Sequence, residues 1–422
     1  MKKIVQQYHR KIMKLIGFIL ALMIACLNFT DEMIAARALE GAVFTHSSAF
    51  DEETLLSVNA SSHAGAQLFG SMSVSSSDDE TLEDSSIAVR LFDLIDATKI
   101  RVYNGERKLL SPLGNAIGIS IHVDGVVVVG FGEVTINSGE SVCPAKTCGL
   151  QAGDIIKKLD GRDVCTANEL QLALNSSVGK VDMSVDRNGR LLTVTAEPVL
   201  DAEGGLRLGA WVRDSTIGIG TLSFTDEETG AVAALGHAVL DADTQTLLPV
   251  LDGSISYADI LGVVKGKSGV PGELKGTFSS KSDILGTVER NCVFGIFGRL
   301  NQTADTGLIL EGVQAVPIAF PDEVHTGEAC IYSQLDSGEP QCYSCRIIRT
   351  VHQNRPDQKG LVIEITDARL LDTAGGIVQG MSGSPIIQDG RLVGVVTHVF
   401  VNDPTKGYGA YAFWISEAMS DE

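Results

Sequence analysis

Positive charge, aromatic side chains and long apolar runs are all scarce in this chain of 422 residues. Its 33 Lys and Arg stand against 53 Asp and Glu, a formal net charge of −20. An acidic body of this kind repels phosphate backbones, so no nucleic-acid partner is expected. Aromatics make up 5% of the chain, while Gly reaches 45 residues. With many Val and Ile besides, that composition points to short strands and tight turns. A hydrophobic share of 44% is enough to bury a core, which excludes a wholly disordered or collagen-like protein.

The single apolar run of note lies near the start. Lys2, Lys3, Arg10, Lys11 and Lys14 precede an unbroken stretch from Leu15 to Leu27. At 1.5 Å per residue it spans about 20 Å, short of the roughly 30 Å hydrocarbon core. A basic segment before such a run reads as an export signal peptide or a membrane anchor over residues 1–29, with the rest of the chain on the far side. Residues 30–86 read as a flexible tether. Between Ser71 and Ser86 there are seven Ser and five acidic residues with almost no large apolar side chains. Such a stretch cannot offset its ordering entropy by burial. Residues 87–109 then read as a connecting hairpin, Lys99–Tyr103 and Glu106–Leu110 about the turn Asn104-Gly105.

Seven cysteines follow the signal, an odd number, so they cannot all pair within one chain. Cys342-Tyr-Ser-Cys345, with Cys330 and His325 upstream, has the spacing of a metal or redox site. A second tight pair is lacking, whereas a zinc site needs about four ligands. A disulfide and unpaired thiols remain as alternatives. No metal and no cofactor are expected at the functional site.

From 110 to 200 the signals are those of a small β-rich domain. Ile117–His122 and Val126–Phe131 read as strands joined by Asp124-Gly125. The run Gly149-Leu-Gln-Ala-Gly-Asp154-Ile-Ile-Lys-Lys-Leu-Asp-Gly161 reads as a turn, a buried strand and a second turn. An amphipathic helix follows over Ala167–Leu174, then a hairpin about Arg187-Asn188-Gly189. This order of elements resembles a bacterial PDZ domain. The resemblance implies that the loop Ala116, Ile117, Gly118 and Ile119 offers backbone N–H groups to a peptide, which adds as a strand along Ile119–Ile121.

Residues 201–422 are again strand-like and carry the chemistry. Gly380-Met-Ser382-Gly-Ser384-Pro is a small-residue turn followed by two strands about Asp389-Gly390. Such a turn can expose one hydroxyl and aim neighbouring N–H groups at a carbonyl. It resembles the nucleophile turn of chymotrypsin-like serine peptidases. By that match Ser382 is the nucleophile, with the N–H groups of Gly380 and Ser382 as oxyanion hole and Ser384 as the competing hydroxyl. A serine needs a base within hydrogen-bond reach. His237, at the end of a strand beside a Gly turn, and His398, on the strand after Ser382, are the leading choices, and the His-before-Ser order favours His237. The orienting acid could be Asp241, Asp243, Asp252, Asp259, Asp322, Asp357 or Asp367. Asp367 stands where a helix N-cap is also expected, before Ala-Arg-Leu-Leu.

The shared wording then widens. Ala234-Leu-Gly-His237, Phe294-Gly-Ile-Phe-Gly298, Ile365-Thr-Asp367-Ala-Arg-Leu-Leu371 and Gly375-Gly-Ile-Val-Gln-Gly-Met-Ser382-Gly-Ser-Pro-Ile-Ile387 resemble the stage IV sporulation protein B peptidases of endospore formers. That resemblance implies a triad of His237, Asp367 and Ser382. It also implies a peptidase exported across the forespore membrane into the space between the spore membranes. There it cuts itself and then a membrane-bound regulator of an intramembrane protease, leading to sigma-K activation. The expected fold is mainly β: signal or anchor, disordered tether, PDZ domain and a C-terminal chymotrypsin-like β-barrel peptidase domain. The competing expectation is a catalytically inert PDZ scaffold at the membrane. Self-cleavage is expected between about residues 38 and 75, where Val43, Phe44, Phe50, Leu55 and Leu56 offer apolar side chains.

Overall fold

The computed structural model describes residues 107–278, 283–301, 309–353 and 355–420, together with four strands nearer the start. The expected signal or anchor, and most of the expected tether and cut region, lie outside the described residues. The chain divides into two units, 1–107 and 108–422. In the first, four strands form one sheet in the order Val43–Thr45, Ile95–Asn104, Asp84–Leu91, Ser73–Ser76. The hairpin expected about Asn104-Gly105 is therefore corrected. Ile95–Asn104 pairs with Asp84–Leu91. Leu109–Pro112 pairs with strands of the second unit. Ser73–Ser76 lies within the stretch read as a tether, and Asp84–Leu91 runs from it into the stretch read as a hairpin, where alternating Ile87, Val89 and Leu91 give a β pattern.

The second unit begins its main architecture with β1, Ala116–Phe131. Next come β2 (Ile155–Leu159), helix α1 (Ala167–Ser176), β3 (Val181–Arg187) and β4 (Arg190–Ala196). Helix α1 starts where expected because Thr166 and Glu169 form a reciprocal capping box. The β3–β4 hairpin turns at Asn188 and Gly189, both with positive φ. The chain returns through β5, Ala210–Thr225, and continues with β6 (Ala231–Ala234), β7 (Val250–Tyr257), β8 (Ile284–Cys292) and β9 (Gly295–Leu300).

Pairing closes a barrel. β1 pairs with β7, β7 with β8, β8 with β9, β9 with β6, β6 with β5, and β5 with β1. Its interior holds Ile117, Ile119 and Ile121 of β1, at alternate positions, against Leu222, Val232, Ile255 and Ile296. The second half of β1 enters a different core. There Val126 and Val128 join Ile156, Leu159, Leu170, Leu174 and Met183. Two expectations change as a result. Asp124-Gly125 is no hairpin turn, because Ile117–His122 and Val126–Phe131 are two halves of one strand with different partners. Gly125 has φ +112°, and a Cβ there would lie 2.9 Å from the Ile156 carbonyl oxygen. It lets the strand pass from one core to the other. The PDZ-like and peptidase segments are also not consecutive with a boundary near 200. The smaller core is an insertion between β1 and β5 of the first barrel.

A later group of strands is β10 (Gly327–Ser333), β11 (Gln341–Thr350), β12 (Leu361–Ile365), β13 (Pro385–Gln388), β14 (Arg391–Phe400) and β15 (Asp403–Tyr411). They close a second barrel in the order β10-β11-β12-β15-β14-β13. Helix α2, Ala368–Ala374, leaves β12 and leads to the turn before β13. The fold is mainly β with a C-terminal β-barrel, as the sequence predicts, and a second six-stranded barrel is closed by β1 and β5–β9. No described helix is long and apolar enough to cross a membrane.

Candidate active site

The nucleophile candidate sits on a turn that only glycine permits. Gly380 and Gly383 have φ of +98° and +100°. A Cβ on Gly383 would lie 2.3 Å from the Thr221 carbonyl oxygen, so the first barrel packs directly on this backbone. The Thr221 N–H donates to the Ser382 carbonyl (3.1 Å) and its hydroxyl to the Gly380 carbonyl (2.7 Å), fixing the turn against β5. Met381 donates its N–H to Val378 and Gly383 donates to Val396. The N–H groups of Gly380 and Ser382 make no hydrogen bond among the described residues. Two unspent donors flank one hydroxyl, which is what an oxyanion hole requires. Ser384 is fully buried and donates to the Ser333 hydroxyl, so it is packed away from solvent.

His237 follows β6 through Leu235 and Gly236, both in the left-handed region. Positive φ at a leucine is a strained conformation, held here by packing. The turn delivers His237 into a cleft of about 490 Å³ that Ser382 also lines. Nδ1 of His237 lies 2.9 Å from the Ala238 carbonyl. A carbonyl only accepts, so Nδ1 carries the proton and Nε2 keeps its lone pair. Burial lowers the His237 pKa below its ordinary value, partly countered by that carbonyl. His398 lines the same cleft, its ring centroid 5.2 Å from that of His237. Its pKa is lowered by desolvation first and by the neighbouring His237 second. The other lining residues carry no ionisable group and are largely apolar, Ile217, Ile219, Val378 and Val399 among them.

Ser382 and His237 thus share a cleft without being hydrogen-bonded. The Ser382 hydroxyl donates instead to the Thr397 carbonyl at 2.9 Å. Serine–histidine contacts are often long in substrate-free peptidases and tighten with substrate. Asp367 is where the structure departs from the expected triad. Its carboxylate caps α2, accepting from the Arg369 N–H (2.9 Å), from the Arg369 guanidinium (2.9 Å) and from the Ser344 N–H (3.2 Å). Arg369 above all holds its pKa down at about 2. It does not line the cleft, and none of the seven candidate acids bonds His237. Asp241, for one, is buried among Arg213 and Thr244. The helix-cap alternative for Asp367 is the one the structure displays.

The peptide-binding assignment to Ala116, Ile117, Gly118 and Ile119 is corrected. Both backbone edges of this stretch are already paired, with β5 on one side and β7 on the other. No third strand can add there. Among the described residues the groove beside α1 is instead lined by Leu170, Gln171 and Leu174 of the helix, opposite Leu208-Gly209-Ala210-Trp211-Val212 at the start of β5. The apolar-Gly-apolar-apolar wording of that segment was the available signal. Thr397 was missed too, though it lies on the strand following the serine turn. Cys342 and Cys345, three apart on β11, fall on opposite faces, one exposed and one buried, and cannot chelate one ion together. Burial, together with Cys342, pushes the Cys330 thiol up to about 12.

Comparisons with known proteins bear on this arrangement. The metalloprotease MmpA of Caulobacter vibrioides is 35% identical over 95 residues, 21% of this chain and 23% of that protein. The chain spans about a quarter of the length of the curated relatives it matches. Among solved structures, the PDZ domain of an SdrC-like protein from Listeria monocytogenes is similar at 23% identity and TM-score 0.17, covering 21% of this chain and 87% of that one. A protease from M. tuberculosis in its active form is similar at 15% identity and TM-score 0.26, covering 48% of this chain and 72% of that one. The SpoIVB peptidase S55 family matches residues 204–416, half of the chain, a span that holds both His237 and Ser382. The chain belongs to the SpoIVB peptidase S55 family.

Proposed function

We propose that the protein is a serine endopeptidase acting through Ser382 and His237. The carrying observation is their meeting in one cleft beside two unspent backbone donors. In this reading the Ser382 hydroxyl turns from Thr397 toward Nε2 of His237, which takes its proton. Oγ bonds to the substrate carbonyl carbon, and the oxyanion settles on the N–H groups of Gly380 and Ser382. His237 returns the proton to the leaving amine as the C–N bond breaks, and water then hydrolyses the acyl-enzyme. The Ala238 carbonyl holds the imidazole tautomer, a role that an aspartate fills in the usual triad. Asp367 acts at a distance, by capping the helix that leads into the serine turn. Apolar side chains flanking the cut suit the apolar cleft walls.

The finer biology is part of the same proposal, supported by the family resemblance and the N-terminal sequence. Export by residues 1–29 places the enzyme between the two forespore membranes, anchored until it cuts itself between about residues 38 and 75. Its later partner is a membrane-bound regulator of an intramembrane protease in the route to sigma-K. One observation favours the inert-scaffold reading, namely the Ser382 hydroxyl bonded to Thr397. Incubating the full chain with an unfolded protein substrate separates the two. Peptide products from the wild type and none from Ser382→Ala support the peptidase, and equal products from both would overturn it. N-terminal sequencing of the two proteins tests self-cleavage in the same way.

A further inference from the structure

The strand that carries the groove also carries the cleft. Trp211, in the groove, and Ile217, in the cleft, both belong to β5. They are among the most exposed large apolar side chains described, 64% and 71%. One edge of β5 pairs with β1 from Ala210 to Thr221, with register shifts at Trp211/Val212 and across Asp214. On the other edge β6 pairs only from Leu222 onward, while Leu109–Pro112 extends the β1 edge at Phe224 and Thr225. From Ala210 to Gly220, then, no described strand covers that edge. The one tie to α1 runs from the Ala167 N–H to the Asp214 side chain, which leaves the backbone groups of the edge unpaired. An open edge of this length is a row of donors and acceptors ready to template another strand.

We propose that a single extended segment of the protein substrate occupies this edge throughout, from the groove beside α1 into the cleft, so that β5 acts as a ruler between docking and cleavage. The occupant is argued from continuity. The cleft must receive an extended chain, and the strand whose edge it would pair with continues to the groove, with register shifts against β1 at Trp211/Val212 and across Asp214. Trp211 and Ile217 lie six positions apart, about 20 Å at roughly 3.3 Å per residue. The substrate therefore carries two apolar residues about six to eight positions apart, one for each end, with the cut beside the second. A docking module on a flexible linker would tolerate almost any spacing, because effective concentration falls slowly with length. The insertion of the small core between β1 and β5 removes that freedom, since no linker separates the two sites. This rests on reading the cleft as the peptidase site, and it deepens that reading.

Binding to the full-length Ser382→Ala protein tests it without needing turnover. Labelled peptides of Ser, Thr and Gly, each with two Phe residues at separations from about three to about eleven, are titrated by fluorescence anisotropy. The expected result is an optimum near six to eight, roughly tenfold tighter than peptides about four residues longer or shorter in spacing, and lost in a Trp211→Ala, Ser382→Ala double variant that keeps the parent's circular dichroism. Affinity that is independent of separation, or an optimum that survives loss of Trp211, overturns the ruler. A peptidase that cuts protein but shows no optimum sinks the ruler alone. An optimum in a wild type that cuts nothing sinks the peptidase reading alone.

Discussion

The two barrels contribute differently to one cleft. The second is built from strands that are near neighbours in sequence, Gly327 to Tyr411, with short connections among its last three. It supplies the rigid serine turn. The first is closed by β1 and β5, which are separated by the whole inserted core, and it supplies His237 from a strained turn. The barrel with local pairing holds the group that must be placed most tightly. The barrel with long-range pairing holds the proposed base, His237, and carries the groove. The division suggests that nucleophile geometry and substrate docking can vary separately, since each rests on a different barrel.

Variants at the barrel junction should break this arrangement most severely. Ser382→Ala should remove most turnover, a loss of several orders of magnitude, while leaving the thermal unfolding midpoint near the parent's, because the small side chain makes one hydrogen bond. Turnover within about tenfold of the wild type would refute the nucleophile assignment. Gly383→Ala strikes the junction itself. Its φ of +100° and the 2.3 Å approach of Thr221 leave no room for a methyl group. Both activity and stability should fall, stability by about 1–3 kcal/mol or more in a denaturant titration. A neutral outcome would mean that the barrels do not pack here as described.

Asp367 sharpens the comparison, because it belongs to the second barrel and is held away from the base. As a helix cap its replacement by Ala should cost about 0.5–2 kcal/mol and lower kcat/KM by about a hundredfold at most, with Asp367→Asn milder because Asn also caps. A triad acid would instead lose roughly four orders of magnitude in the Asn variant as well. The linkage has a definite sign. The Asp367 pKa is depressed to about 2, so its contribution to stability is present above the ordinary carboxylate range and is lost as pH falls toward about 2. Acid unfolding of Asp367→Ala should therefore depend less steeply on pH across that window.

The smallest expected effect is in the pH profile. Burial lowers the His237 pKa, and the base works when neutral. Activity should persist below the usual imidazole value of about 6.5 and fall as pH drops through the lowered one. A falling limb above about 6.5 in kcat/KM would contradict the desolvated His237.

What the sequence displayed depends on how local each feature is. The serine turn, the Thr166 capping box and the Asn188-Gly189 hairpin are legible because a few adjacent residues determine them. His237 is legible from its strand and glycine turn. The course of β1 is not, because Asp124-Gly125 looks like any hairpin turn until the partners of each half are known, and those partners lie as far away in sequence as Tyr257 is from Ile117. The groove was misplaced for the same reason, since Ala116–Ile119 has a fitting local pattern but both of its edges are spent in the barrel. Asp367 shows the opposite difficulty. Its helix-cap position is written in Asp367-Ala-Arg-Leu-Leu, whereas the triad role rests on wording shared with a family and has no local signature.

The most direct test of the central claim is labelling by a fluorophosphonate probe, which reacts only with an activated serine. The full chain, Ser382→Ala and His237→Ala are treated in parallel, and the labelled residue is located by peptide mass spectrometry. The account predicts near-stoichiometric label on Ser382 in the wild type, none in Ser382→Ala, and a rate reduced by at least about a hundredfold in His237→Ala. Label on another serine, or an unchanged rate without His237, would contradict it.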